Sequence, residues 1–196
     1  MKKLIYLCFV GIFLFSCTST QSNNNENNIE LANNDELVYE FINFMIAELM
    51  TRHNVAEEDF CLSDLFHHMP YVPLFYNERW HYSKVDLLVE VLGLDSIYAR
   101  KRIQEVREFR IDPTKIIANV NVIPEAFWEE VDFLDYAFEN CDRDFFSISR
   151  PIFSKDKSLA YVSVERFHSS YIGLYEKQNG VWVLKDILLF MHLSRW

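Results

Sequence analysis

The chain has 196 residues, 50% of them hydrophobic and 16% aromatic, with only four glycines and a formal charge of −10. That apolar content calls for a substantial buried core within one domain. The acidic balance sets the surface against phosphate backbones and excludes nucleic acid as an expected partner.

Met1-Lys2-Lys3 precedes an apolar run from Leu4 to Phe15. Two positive charges before a short apolar stretch are the layout of a secretory signal peptide. A helix needs roughly 20 apolar residues to cross a bilayer core, so a permanent transmembrane helix is the weaker reading. Leu14-Phe15-Ser16-Cys17 then resembles a bacterial lipobox: an aliphatic residue, a variable one, a small one, then the cysteine. The resemblance implies that residues 1–16 are a lipoprotein signal peptide cleaved after Ser16, and that the Cys17 thiol carries a diacylglycerol. Each buried methylene contributes about 0.8 kcal/mol, and two or more chains make a stable anchor where one does not. The competing reading is an ordinary cleaved leader with an incidental cysteine. Loss of Lys2 and Lys3 with the leader takes the net charge from −10 to −12.

Residues 17–34 are rich in Ser, Thr, Gln and Asn. They hold too little apolar surface to offset chain entropy and read as a flexible tether behind the acylated cysteine. Thr18, not an aspartate, follows Cys17, which favours the outer membrane. Residues 35–196 then form a single domain.

Asn33 and Glu36 have capping-box spacing, and Leu37, Val38, Phe41, Phe44, Met45 and Leu49 place one apolar stripe on a helix over 37–50. Arg52, His53 and Asn54 suit its C-terminal end. Pro70 and Pro73 interrupt the next segment, which suggests a short helix over Ser63–His68 followed by an extended link. Ser83 and Asp86 open a helix over Lys84–Leu92 that Gly93 ends. Asp95 caps another over Ser96–Phe109, which Asp112-Pro113 stops. This helix carries the densest basic stretch, Ala99 to Arg110, and Glu105 can pair with its arginines on a solvated face. Ile116–Ile123 alternates with Asn119 and Asn121 as an edge strand would. Pro124 starts a helix running to Val131, with a further piece over Phe133–Phe138.

The last fifty residues change period. Phe145–Phe153, Leu159–Phe167, Ser170–Lys177 and Val181–Leu193 read as strands, and Asn179-Gly180 is a two-residue hairpin turn. Ala160, Val162 and Val164 form an inward row. Helices first and strands last is the α+β pattern. The expected architecture is a set of N-terminal helices packed on one face of a C-terminal antiparallel meander of about four strands.

Ile148 to Phe167 and Gly173 to Asp186 together resemble the C-terminal half of a group of uncharacterised Bacteroidota lipoproteins and secreted proteins. The shared positions are Ser149, Arg150, Pro151, Phe153, Ala160, Gly173, Leu174, Asn179, Gly180 and Trp182. The resemblance implies an envelope protein with that sheet, and it implies no activity.

Chemistry-bearing clusters are sparse. His67, His68 and His81 with Asp64 could meet a metal, yet adjacent helical residues point about 100° apart and no H-E-x-x-H occurs. Glu129, Glu130, Asp132 and Asp135 are paired carboxylates of the sort glycoside hydrolysis uses, though acid runs on an acidic protein are ordinarily solvated. Trp80 and Trp128 head two aromatic clusters that could wall a ligand or partner surface; core packing is the plainer reading. Cys61 and Cys141 form a candidate disulfide in an exported protein, with two free core cysteines as the alternative. No catalytic residue, cofactor or metal is expected. The sequence reads as a lipid-anchored envelope protein acting as a binding or interaction module. Its partner is a protein, as for an immunity-type lipoprotein that blocks a toxin, or a glycan or small ligand held in a pocket.

Overall fold

Val38, Phe41, Ile42, Met45, Ile46 and Leu49 recur at spacings of three and four, and all six are fully buried. They form the inner stripe of helix α1, Asn23–His53. Burying such side chains contributes about 1.5–3 kcal/mol each, which holds the helix more firmly than its propensity does. The computed structural model describes residues 23–64, 84–124, 136, 139–141, 145–166 and 169–192. The chain divides into two units, Met1–Leu37 and Val38–Trp196; the second holds the sheet. The helix starts ten residues before the Asn33 capping box, inside the stretch read as tether, so Asn33 lies within the helix and not at its start. Once a packed nucleus exists, each added residue gains a hydrogen bond without a new nucleation cost. At the other end Asn54 adopts φ 53°. Val55 N–H donates to Met50 O at 3.0 Å and Asn54 N–H to Thr51 O at 3.4 Å. These are the two bonds of a left-handed helix cap.

Two further helices follow the expected ranges: α2, Lys84–Leu92, and α3, Ser96–Glu108. Gly93 between them has φ 63°. The Asp95 side chain accepts from Tyr98 N–H at 2.9 Å. Short 3₁₀ turns occupy Glu57–Asp59 and Pro113–Lys115.

Among the described residues there are seven strands: β1 Cys61–Ser63, β2 Asn121–Ile123, β3 Phe145–Ile148, β4 Ile152–Phe153, β5 Leu159–Arg166, β6 Ser169–Gln178 and β7 Val181–His192. They make one sheet in the order β2-β1-β3-β5-β6-β7, with β4 paired to β5 off that path. The fold is α+β, but the sheet is larger than four strands and is mixed. β1 runs parallel to both β2 and β3, and the β3-to-β7 part is antiparallel. Ser63, expected in a helix, ends β1 and Asp64 is a bend, while residues 65–68 of that predicted helix lie outside the described residues; Pro124 is not helical, and the rest of the predicted helices after it lies outside the described residues except for Tyr136, which is helical. The strand expected over Ile116–Ile123 is confined to its last three residues, because Asp112 caps the 3₁₀ turn upstream. The strand expected over Phe145–Phe153 is two, broken at Ser149–Pro151, where proline cannot donate to a ladder.

The helices do not share one face. Phe41 of α1 sits edge-on to Tyr175 at 5.4 Å and to Trp182 at 5.0 Å. On that side lie Ala160, Val162 and Val164, the row expected to point inward, all buried. The opposite face is covered too. Leu88, Leu92, Leu94 and Ala99 of the α2–α3 region pack with Ile152, Tyr161 and Leu174. Successive strand residues point to opposite faces, so consecutive Ile152 and Phe153 serve different layers. A one-sided sheet was expected because Tyr161, Ser163 and Glu165 alternate with the apolar row; Tyr161 and Glu165 are in fact buried.

Candidate functional site

Two polar constellations lie within this frame. The first joins the C-terminal end of α1 to β6. Gly173 allows it: a Cβ there would stand 2.7 Å from the Tyr175 ring and 3.3 Å from the Tyr171 ring. Both tyrosines fold over the glycine, and their hydroxyls lie 3.4 Å apart. Tyr175 O–H donates to the Glu48 carboxylate at 2.8 Å. Glu48 also pairs with Arg52 one helical turn on, and the Arg52 guanidinium lies 5.5 Å from the centre of the Tyr171 ring. Beside them, Arg166 meets His53 Nδ1 at 2.9 Å, and His53 packs on Phe146.

The electrostatics decide what this cluster can do. Burial pushes the Tyr175 and Tyr171 phenols upward. Burial works against the Arg52 charge, but Tyr171, Glu48 and Tyr175 outweigh it and its pKa rises. Near neutral pH both phenols keep their protons and act as donors, and the guanidinium stays charged. The cluster therefore ties layers together and orients donors; it does not generate a nucleophile.

The second constellation lies on the other face. Ser147 of β3 stands opposite Glu165 of β5. Ser63, two residues after Cys61 on β1, shares their face, since Cys61 pairs with Phe145. All three are buried. Next to them Ser149 exchanges two bonds with Ser163: Ser149 N–H donates to Ser163 O, and Ser163 N–H to Ser149 Oγ, each at 2.9 Å. This polar row lies between two apolar groups, the α2–α3 cluster and a smaller one of Cys61, Ile123, Cys141 and Phe145 with Tyr136. Sequence reasoning missed the row because serines scattered over three distant strands carry no local pattern.

Cys61 and Cys141 are bridged, with Cα atoms 5.5 Å apart and a sequence separation of 80. Cys17, Trp80, Trp128, the histidines at 67, 68 and 81, and the carboxylates Glu129, Glu130, Asp132 and Asp135 lie outside the described residues. Trp182 is core: it is buried against Phe41 and Phe153, and its indole N–H meets no hydrogen-bond acceptor among the described residues. The basic stretch of α3 is internally paired, with Arg102 2.5 Å from Glu105. Among the described residues no group of three or more His, Cys, Asp or Glu could hold a metal ion, and no helix is long and apolar enough to cross a membrane. The chain matches no family model, no curated protein and no solved structure.

Proposed function

We propose that the chain is an exported, lipid-anchored domain of the bacterial envelope, at the outer membrane, that works by binding and performs no reaction of its own. The observation that carries this reading is the Cys61–Cys141 bridge. Disulfides form and persist in exported compartments. The N-terminal leader asks for the same compartment and shares no residue with the bridge, so two independent features agree. The Leu14–Cys17 motif supports lipid on Cys17, and so does the resemblance of the C-terminal sheet sequence to Bacteroidota lipoproteins. Binding is favoured over catalysis by the Glu48–Arg52–Tyr175 cluster, in which the Tyr175 phenol keeps its proton and donates to Glu48 while the Arg52 guanidinium stays charged. The net charge of −12 left after removal of the leader favours a basic protein partner, as for an immunity-type lipoprotein.

The test compares the parent with Cys17→Ser. Metabolic labelling with palmitate and detergent phase partition should find the parent labelled and in the detergent phase, and the variant unlabelled and in the aqueous phase. A parent that partitions into water overturns the reading. Salt then separates the classes of partner: a basic protein held by charge is released as ionic strength rises, whereas a glycan stacked on aromatic rings is retained.

A further inference from the structure

β7 pairs with β6 along one side, and among the described residues no strand pairs with its other side. A long edge strand is a template for another strand, and proteins usually blunt it with charges and bulges. β7 carries both: Lys185 and Asp186 are exposed, and its register with β6 shifts twice. The placement of the shifts is regular. Leu184, Ile187 and Phe190 stand opposite Tyr175, Gly173 and Tyr171. Three-residue steps on β7 match two-residue steps on β6, so each step holds one extra residue and the three side chains line the same face. Ile187 is the centre, with one extra residue on either side of it.

A regular strand laid along this edge would lose register at both bulges. A second copy laid antiparallel about Ile187 would not. Ile187 then faces the partner's Ile187, Leu184 faces the partner's Phe190, and Lys185–Asp186 lies across from the partner's Leu188–Leu189. We propose that the free edge of β7 pairs with the same edge of a second copy of this chain, about a two-fold axis at Ile187. Phe190, 61% exposed, and Ile187, 43% exposed, are thereby covered. No like charges stand directly opposite. Across the axis the two Asp186 carboxylates are the diagonal neighbours, about 7–8 Å apart, while each Lys185 is held by Glu176 of its own copy at 3.0 Å. The contact is isologous and closes at two copies. It depends on the fold alone and stands whether or not Cys17 carries lipid.

Directly opposed residues of an antiparallel pair have Cα atoms about 4.5–5.5 Å apart, within the span of a disulfide. The full chain, as processed by the cell, is therefore oxidised mildly and run on a non-reducing gel. Ile187→Cys should give a covalent dimer. Ile97→Cys, on α3 at a position 81% exposed, should stay at the level of the parent. Leu184→Cys and Phe190→Cys should cross-link when combined in one chain and not singly. Equal cross-linking at 187 and 97 overturns the proposal, as does efficient cross-linking of Leu184→Cys alone. Sedimentation equilibrium in detergent gives a second readout that needs no added cysteine. The parent should show a concentration-dependent dimer mass and Ile187→Lys a monomer mass. A parent that is monomeric at every concentration also overturns it.

Discussion

Reduction of the Cys61–Cys141 bridge perturbs the fold where its chain closures are longest. β1 has only three residues, and both of its neighbours run parallel to it. Parallel pairing requires long crossovers; here Cys61 pairs with Asn121 and with Phe145. Few ladder bonds compensate for those closures, and the bridge fixes one of them covalently. For a separation of 80 residues, the chain-entropy relation gives about 4.5 kcal/mol at 25 °C. With a urea slope of about 2 kcal/mol/M, reduction should lower the unfolding midpoint by roughly 2 M. Both thiols are fully buried among Ile123, Phe145 and Tyr136, so reduction should also be slow until the β1 region opens. The assay is urea unfolding followed by circular dichroism, with and without reductant, each midpoint being converted to stability with its own slope because the reduced unfolded chain is less compact. Coincident curves would refute the reasoning, as would two titratable thiols at these positions in the native oxidised chain.

Gly173→Ala forces a Cβ to within 2.7 Å of the Tyr175 ring; overpacking of this kind costs about 1–3 kcal/mol, readable as a lower urea midpoint, and an unchanged midpoint would contradict the packing. Tyr175→Phe removes the donor to Glu48 and should destabilise by about 1–2 kcal/mol, while Tyr161→Phe, away from that carboxylate, should cost less; equal losses would count against the cluster. Asp156 is held at about 2 by hydrogen bonds from Ser154 and from the Ser158 side chain and backbone. Its folded pKa is depressed, so its support for the β4–β5 turn is full above the ordinary carboxylate range and is lost as pH falls towards 2. A carboxyl carbon resonance titrating near 4 would disprove that turn geometry, and Asp156→Asn should remove the acid dependence of the turn.

The parts of the fold legible in the sequence are those decided within a few residues. Asn54, Gly93 and Asn179-Gly180 all take positive φ, and each is a residue type that tolerates it. The Asp95 cap and the α1 stripe are equally local. What was hidden depends on partners far along the chain. Cys-Leu-Ser at 61–63 is too short for a period, and all three residues are buried, so no alternation marks them as a strand. The second helical layer was hidden by Ser163 and Glu165, which look solvent-facing beside Val162 and Val164. Glu165 is buried because it stands opposite Ser147, a pairing no local window contains. The candidate site inherits this limit: its polar row is assembled by topology from β1, β3 and β5.

The layering restricts where a partner can act. Over β5 and β6 both faces are occupied, by Phe41 and Phe44 of α1 on one side and by the α2–α3 cluster on the other. Among the described residues that leaves the β7 edge open to a partner, since the polar row around β1 and β3 is buried. In the order β1-β3-β5-β6-β7, Ser147 on β3 lies three strand spacings of about 4.8 Å, roughly 14 Å, from β7. Sites more than about 7–10 Å apart with no shared partners act independently. Ser147→Ala, which alters the row and leaves β7 untouched, should therefore not change the cross-linking yield of Ile187→Cys. A yield that falls with Ser147→Ala would mean that the sheet transmits strain from β3 to β7, and the two places would then have to be treated as one site.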